Sequence, residues 1–178
     1  MAKLTVRSLQ RIELERLLEW RNNPAIRSMM LNNREIGLQE HLDWFEKASN
    51  NDCRALYVGE QQGVDVGFGQ LGWDKASRVG DWGFYISPTA AKGTGTRLCA
   101  ALLDAAFGDI GLVKVCAQVL HFNDKSIAIH RRLGFVQEGL LRSQHWDGAK
   151  WQDLLCFGIL QQEWLDKATG EKIDSHHN

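Results

Sequence analysis

A loop of small residues, SPTAAKGTGT at positions 87–96, is the feature of this sequence that most constrains its fold. Residues 78–87, which lead into it, are rich in aromatic and β-branched residues, as a strand requires. Directly after the loop, apolar residues recur at the spacing of one helix face: Leu98, Ala101, Leu102 and Ala105. The pattern therefore predicts a strand, a glycine-containing loop and an amphipathic helix in succession.

The start of this predicted helix is suited to a phosphate group. The first backbone N–H groups of a helix lack internal partners and the helix dipole is positive there, so an anion is stabilised. Gly93 and Gly95 let the backbone approach a ligand closely, although they equally fit a plain tight turn. A P-loop is excluded because no GK[ST] follows, and a dinucleotide fingerprint is disfavoured because a third glycine is missing from the required spacing.

Strand and helix patterns alternate along the rest of the chain, which predicts one domain of mixed α/β or α+β class. Three strands before the glycine loop are separated by short polar turns and form an antiparallel meander. The predicted strands are residues 3–9, 54–60, 64–74, 78–87, 113–120, 135–144 and 151–160. The predicted helices are residues 12–23, 38–48, 96–111 and 124–132, with one further turn at 25–30 after Pro24.

The composition narrows the functional class. A formal net charge of -1, with basic residues spread along the chain, disfavours a nucleic-acid surface. The N-terminus lacks a signal-peptide core and apolar runs stay well short of the ~20 residues that span a bilayer, so we expect a cytoplasmic protein without membrane contact.

Four cysteines without CxxC spacing, Cys53, Cys99, Cys116 and Cys156, are expected to be reduced core thiols. No metal site is predicted, and His176 and His177 fit a frayed end better.

A second pattern, NDKSIAIHRRLGF, occupies positions 123–135. Together with the glycine loop it resembles the Gcn5-related N-acetyltransferase (GNAT) superfamily, whose loop binds the acetyl-CoA pyrophosphate and whose later Asn-led helix closes in a Leu-Gly-Phe-like turn. The resemblance covers essentially the whole chain. It implies the GNAT fold, a single mixed, mostly antiparallel sheet of about seven strands flanked by helices. Residues 1–166 would form the domain and residues 167–178 a polar C-terminal tail.

The resemblance implies acetyl-CoA as the co-substrate and assigns residues to it. The backbone of Tyr85 and Ile86 would pair with the pantetheine arm, which Asn123 and Ser126 would also contact. The loop residues whose amides would hold the pyrophosphate are Lys92, Gly93, Thr94, Gly95 and Thr96. The family's Gln or Arg is replaced by Ala90 and its first loop glycine by Ala91, which removes one side-chain contact with CoA and leaves the amides in place.

The resemblance also implies a direct attack of the amine on the thioester, without a covalent enzyme intermediate. Where many members have a Tyr that protonates the leaving thiolate, this chain has His130, which would be that acid or would only line the helix and pack against CoA. A Glu base of some members is replaced by Gln118, which cannot accept the proton. The base is then to be sought at His41, His121, Asp81 or a water chain.

Two N-terminal segments carry the acceptor prediction: residues 20–27 (WRNNPAIR) and 40–45 (EHLDWF). With a C-terminal segment at 138–164 they resemble the amino-sugar acetyltransferases of pseudaminic acid synthesis, which acetylate UDP-4-amino-4,6-dideoxy-N-acetyl-β-L-altrosamine at its 4-amine. The resemblance implies that Arg21 bridges phosphate oxygens, that Trp44 stacks on uracil and that His41 reaches a hydroxyl or phosphate. We place Trp82 in the same set, although tryptophans at such positions also serve as core packing.

Several alternatives stay open from the sequence. A ribosomal-protein or peptide N-terminal acetyltransferase shares the same segments, and a polyamine acetyltransferase shares the fold. The polyamine alternative requires an acidic acceptor cleft, whereas the first 50 residues carry several arginines. A binding module that senses acyl-CoA is the non-enzymatic alternative. The exposed last strand would allow a homodimer.

Overall fold

In the computed structural model, which describes residues 3–169, seven strands form one sheet in the order β1-β2-β3-β4-β5-β7-β6. The strands are β1 Leu4–Ser8, β2 Arg54–Gln61, β3 Val64–Trp73, β4 Val79–Ile86, β5 Lys114–Leu120, β6 Val136–Trp146 and β7 Trp151–Leu160. The helices are α1 Leu14–Asn22, α2 Pro24–Arg27, α3 Leu38–Ser49, α4 Thr94–Asp104, α5 Asp124–Leu133 and α6 Gln161–Thr169. The predicted mixed α+β class and the seven-stranded sheet are confirmed.

All neighbouring strands are antiparallel except β4 and β5. The predicted meander of β2, β3 and β4 is therefore confirmed. A parallel pair needs a crossover connection, and the glycine loop with α4 supplies it.

The parallel pairing between β4 and β5 is short. It runs for three residue pairs, from Val79 opposite Lys114 to Asp81 opposite Cys116. After Asp81, β4 stays paired with β3 up to Ile86 but no longer pairs with β5. The backbone of residues 82–86 thus has one unpaired edge, and the sheet opens between the two central strands.

Helices cover the sheet on both sides, and the alternation of side chains along β4 sorts its residues between them. On the first side, the α4 face, Trp82 and Phe84 pack into the cluster under α4 and α5. On the opposite side, the α1 face, Tyr85 packs with Phe68 and with residues of α1 and α3. The two faces therefore offer different surroundings to the opening between β4 and β5.

Three local features differ from the sequence predictions. Residues Arg11–Glu13 form a 3-10 turn before α1, and Ala105–Asp109 form a π-helical turn after α4. Helix α6 was not predicted. It runs across the predicted boundary between the domain and the C-terminal tail at residues 166/167. Trp164 docks this helix onto α4 through a 2.9 Å hydrogen bond to Asp104 Oδ1. His176 and His177 lie outside the described residues. Of the four free cysteines, Cys99 is fully buried and the other three are half-buried.

Strand β6 is the edge of the sheet and is exposed along most of its length, including Val136, Leu140 and Trp146. Irregular pairing interrupts it between Gln137 and Gly139 and again between Leu141 and His145. Such bulges bend an edge strand away from regular pairing. The expected homodimer stays a prediction.

Candidate functional site

The glycine loop ends in a left-handed residue that turns the chain into α4. Gly93 has φ +86° and is the N-cap of the helix, a conformation that a side chain disfavours. The N–H of Thr94 donates to the carbonyl of Ala91 at 3.2 Å, so this predicted pyrophosphate donor is already engaged. Within the described residues, the backbone N–H groups of the other four predicted donors make no hydrogen bond to a backbone carbonyl: Lys92, Gly93, Gly95 and Thr96. The N-terminus of α4 thus fits an anionic group.

Helices α4 and α5 approach closely at this loop. A Cβ on Gly95 would lie 2.9 Å from Ile129 Cδ1 and 3.6 Å from Ile86 Cγ1. The absence of a side chain at Gly95 lets the first turn of α4 reach both β4 and α5. The predicted loop, strand end and Asn-led helix therefore lie together in space.

Arg97 belongs to this region and was missed by the sequence analysis. Its Nη2 donates to Thr94 Oγ1 at 3.0 Å, while its Nε is buried and has no hydrogen-bond partner. The signal was its position one helical turn after Gly93, which places a cation beside the loop. Its Nη1 would lie 3.4 Å from a Cβ on Gly93.

The edge of β4 at the opening matches the predicted role of Tyr85 and Ile86. Both residues pair with β3 and lie beyond the last β4–β5 pair. An extended pantetheine arm can add to such an edge as a strand would. The phenol of Tyr85 points away from it, is buried on the α1 face and donates to the carbonyl of Leu17 at 3.4 Å, and burial raises its pKa.

Asn123 and Ser126 form the start of α5. The carboxamide oxygen of Asn123 accepts from the Ser126 N–H at 3.2 Å, which caps the helix, and its Nδ2 donates to the carbonyl of Met29 at 3.4 Å. The structure therefore gives Asn123 a capping role and a link to the segment after α2. Its predicted contact with the pantetheine arm, and that of Ser126, stay predictions.

His130 lies in the core and is 1% exposed. Its Nδ1 is 2.7 Å from the carbonyl oxygen of Ser126, and its Nε2 is 3.1 Å from Nε1 of Trp82. Burial lowers the pKa of His130, and the hydrogen bond to the Ser126 carbonyl raises it by a smaller amount. In this geometry neither ring nitrogen presents a proton to a leaving thiolate.

Trp82 does not lie with the other predicted acceptor residues. Its ring packs on the α4 face against Phe84, His130 and Phe135, at centroid distances of 5.5, 5.6 and 5.1 Å. The sequence analysis placed Trp82 in the acceptor set with core packing as the alternative, and the structure shows it packed in the core. The strand register directs its side chain to the opposite face of the sheet from Tyr85.

The other three predicted acceptor residues do come together, on the α1 face. Arg21 is 8% exposed, and its Nη1 is buried without a hydrogen-bond partner while its Nη2 donates to the carbonyl of Asn32. His41 is 5% exposed with an unpartnered Nε2, and its ring stacks on Trp44 at 5.1 Å. Burial lowers the pKa of His41. A hydrogen bond to the Leu14 backbone raises this pKa, and the charge of Arg21 lowers it again by a smaller amount. Unpaired buried polar atoms of this kind indicate a place for a ligand group.

A strap of residues 28–36 crosses the α1 face from the end of α2 to α3. Asn123 holds it at the carbonyl of Met29, and Asn33 Nδ2 donates to the carbonyl of Asp147 in the β6–β7 turn at 2.9 Å. The side chain of Asn22 pairs with both backbone groups of Ile36. The strap therefore connects α1, α5 and the β6–β7 turn around one side of the opening.

The rim of the opening carries two of the predicted base candidates. Asp81 is exposed at the last β4–β5 pair, and His121 is exposed just after β5. Gln118, which stands in place of a Glu, is exposed on β5. The sequence analysis missed Gln70, whose Oε1 is buried without a partner and whose amide lies 3.3 Å from a Cβ on Gly83.

The cysteines do not form a nucleophilic site. Burial raises the pKa of Cys99 well above its ordinary value, and burial also raises that of Cys116. In residues 3–169 no group of three or more metal-ligating side chains lies together. Over the same residues we find no helix with the length and apolar character needed to cross a membrane.

The chain is similar to proteins of known family. The N-acetyltransferase YokL of Bacillus subtilis (strain 168), derived from the SPbeta prophage and uncharacterised, is 28% identical over 124 residues, 68% of this chain and 70% of that protein. The spermidine N(1)-acetyltransferase of Escherichia coli (strain K12) is 25% identical over 162 residues, 90% of this chain and 87% of that protein.

Among solved structures, spermidine N-acetyltransferase from Vibrio cholerae in complex with CoA and spermine superposes with a TM-score of 0.86. It is 26% identical, and the match covers 92% of this chain and 98% of that one. The two spermidine acetyltransferases are named for a polyamine acceptor, and the expected similarity to enzymes of pseudaminic acid synthesis is not supported. The family model for the acetyltransferase (GNAT) domain matches residues 3–136. With that match and with its glycine loop, opening and Asn-led helix in place, the chain belongs to the GNAT acetyltransferases.

Proposed function

We propose that this acetyl-CoA-dependent N-acetyltransferase acts on a primary amine of an acceptor that also carries an anionic group. The 4-amino group of a UDP-linked amino-deoxy sugar is the acceptor of this kind that the sequence predicts. Arg21 is the observation that carries the proposal. It is 8% exposed with an unpaired Nη1, so a phosphate or carboxylate would complete its hydrogen bonds.

The charges around Arg21 support an anion over a polycation. Burial lowers the pKa of Arg21 most, Tyr85 and Glu40 raise it, and Arg27 and Arg34 lower it. Arg27 also pairs with Glu35, and Arg34 pairs with Glu40. A polyamine would bring further positive charge to a buried guanidinium whose Nη1 lacks a hydrogen-bond partner. A positively charged ligand is disfavoured beside these arginines, whereas a diphosphate would offset their positive charge.

The chemistry requires no protein nucleophile. The amine nitrogen attacks the thioester carbon and loses one proton, the C–S bond breaks, and the CoA thiolate takes up one proton, which gives an amide and a free thiol. The N-terminus of α4 would hold the pyrophosphate, and a backbone amide at the end of β4 near Ile86 would donate to the carbonyl oxygen. Asp81 provides an exposed carboxylate at the rim as a candidate proton acceptor.

A thiol-release assay with acetyl-CoA tests the proposal. It compares a UDP-4-amino sugar, a peptide N-terminus and spermidine as acceptors, for the wild type, Arg21→Met and Arg27→Met. Arg27 is the matched control, because it is a half-buried arginine of the same region that has a partner, Glu35 at 3.8 Å. We expect Arg21→Met to raise the KM for the sugar nucleotide about 10- to 100-fold, as loss of a charged hydrogen bond does, with the KM for acetyl-CoA unchanged.

Two outcomes would contradict the proposal. Turnover on spermidine alone, unchanged in Arg21→Met, would transfer the acceptor assignment to polyamines. Binding of CoA without turnover on any amine would contradict an enzymatic role for the site.

Polyamine acetylation is the second candidate, and two observations favour it. The spermidine acetyltransferases match 90% or more of this chain, one of them in a complex with spermine. A depression of about 560 Å³ along α3 is lined by the carboxylates of Glu40 and Asp43 and by Trp44, together with the basic Lys47 and Arg54. If spermidine is the acceptor, Asp43→Asn should raise its KM while Arg21→Met leaves it unchanged, because the ammonium groups would then meet the carboxylates.

A further inference from the structure

We infer that His130 is a positioning residue that acts through Trp82, and that it does not protonate the leaving thiolate. The inference concerns the site of the proposed acetyl transfer and is independent of which amine is the acceptor. It rests on the hydrogen bonds of the imidazole to Ser126 and Trp82, on its enclosure, and on the position of Trp82 in β4.

The hydrogen bonds define the tautomer of His130. The Ser126 carbonyl oxygen, 2.7 Å from Nδ1, can only accept, so Nδ1 carries the proton. The Ser126 hydroxyl oxygen, at 3.4 Å from the same nitrogen, can accept from it as well. The indole N–H of Trp82 can only donate, so Nε2, at 3.1 Å from Nε1 of Trp82, is its acceptor. Both partners are satisfied by one neutral imidazole. A second proton on Nε2 would face the indole N–H and break this bond.

The surroundings of the ring disfavour that second proton as well. The ring packs against Phe84, Phe135 and Phe157, with centroid distances of 6.0, 4.8 and 5.3 Å. Phe84 lies in β4, Phe135 just before β6 and Phe157 in β7. Among the described residues, no charged side chain contributes to the shift in the pKa of the imidazole. A cation enclosed by apolar rings without a counter-charge is strongly disfavoured.

Trp82 connects this buried histidine to the opening of the sheet. It follows Asp81, the last residue of β4 that pairs with β5, so its backbone begins the unpaired edge. Its ring stacks on Phe135 with an interplanar angle of 28° and meets Phe84 edge-on. The hydrogen bond to His130 fixes the remaining freedom of the ring. His130 therefore holds the strand at the start of the edge that the thioester arm would follow.

The protonation state can be measured directly in the wild-type protein. In the 15N-labelled protein, the chemical shifts of the His130 ring nitrogens should show the Nδ1–H tautomer. They should not change between pH 5 and pH 9, roughly the range in which free histidine and its perturbed forms titrate. The same readout should hold with CoA bound. A His130 resonance that titrates within this range, or an Nε2–H tautomer, would overturn the inference.

Variants separate positioning from proton transfer. His130→Gln keeps an oxygen acceptor for the Trp82 indole, whereas His130→Leu removes it, and Trp82→Phe removes the donor. We expect His130→Gln to stay within about 3-fold of the wild-type kcat, while His130→Leu and Trp82→Phe each lose about 10-fold, in line with the loss of a buried hydrogen-bond partner. The double variant His130→Leu/Trp82→Phe should lose little more than either single one, because the two act as one unit.

The pH profile of kcat tests the positioning role against the acid role, and it does not require that His130→Leu folds. A positioning role predicts that the wild type and His130→Gln share the same pH dependence of kcat. If His130→Gln abolishes activity, or removes a decline of kcat at high pH that the wild type shows, His130 is the acid and the inference is wrong.

Discussion

Gly95 and Ile129 are in contact across the start of the site: a Cβ on Gly95 would lie 2.9 Å from Ile129 Cδ1. The first turn of α4 can approach α5 this closely only because residue 95 has no side chain. The groove between the loop and α5, where the acetyl-CoA pyrophosphate is predicted to bind, thus depends on one missing methyl group.

Gly95→Ala tests this dependence. The extra methyl must displace Cδ1 at the far end of the Ile129 side chain, at a packing cost at the low end of about 1–3 kcal/mol, while the change gains about 1 kcal/mol of helix propensity. We therefore expect a small loss of stability and an increase in the KM for acetyl-CoA of about 10-fold, measured by thiol release and urea unfolding. Gly37→Ala is the matched control, since a Cβ there meets nothing within 4 Å. Equal KM values for the two variants would show that this approach does not shape the cofactor site.

Gly93 supports a second prediction, because its φ of +86° is left-handed. Alanine in this conformation costs about 1–2 kcal/mol, whereas asparagine tolerates it better. Gly93→Ala should therefore weaken binding of CoA more than Gly93→Asn does, as measured by isothermal titration calorimetry. The reverse order would indicate that space at the loop, and not backbone conformation, decides the affinity.

Arg21 should contribute little to stability despite its burial. Burial lowers its pKa, and its Nη1 lacks a partner, so the folded protein bears a desolvation cost there. We expect Arg21→Met to change the free energy of unfolding by less than about 1 kcal/mol or to stabilise the protein, because an apolar side chain of similar length avoids that cost. A loss of several kcal/mol in urea unfolding would instead assign Arg21 to the fold.

Glu13 gives a prediction for pH dependence. Burial tends to raise its pKa, but the bidentate hydrogen bonds from Arg7, at 2.7 and 3.0 Å, and the N–H of Gln10 lower it to a net value below the ordinary one. A depressed folded-state pKa gives stability that is present above the unfolded-state pKa, about 4.3, and is lost as the pH falls through the folded-state value.

The corresponding variant is Glu13→Gln. At pH 7 it should lower the free energy of unfolding by about 2 kcal/mol, the value of hydrogen bonds to a charged group. This difference from the wild type should shrink below about pH 4, when the wild-type carboxylate also takes up a proton. Urea unfolding at the two pH values measures it, and a constant difference would show that charge is not its origin.

Direct transfer without an acetyl-enzyme gives a further prediction. Burial raises the pKa of the Cys116 thiol, the half-buried cysteine beside the last β4–β5 pair, so it should not serve as a nucleophile. Cys116→Ser should keep kcat within about 3-fold. Mass spectrometry of enzyme mixed with acetyl-CoA in the absence of an amine should show no acetylated protein.

Local patterns were enough to predict much of the chain. The meander, the loop, α4 and the Asn-led helix α5 each depend on spacing within a short segment, and the structure has all of them. Helix α6 escaped because it is held by a distant contact, Trp164 to Asp104. The π-helical turn Ala105–Asp109 escaped for a related reason, since helical apolar spacing alone does not distinguish it from α-helix.

The sequence by itself determined the family, the glycine loop and the residues gathered around it, because glycines and helical or strand periodicity act over a few neighbouring residues. Only the tertiary structure decided where β4 leaves β5, that Trp82 faces away from Arg21, and that the imidazole of His130 is enclosed between Trp82 and Ser126. These outcomes depend on the register of one strand against partners thirty or more residues away. A side chain's face, partners and charge state follow from that register, and residue spacing does not encode it.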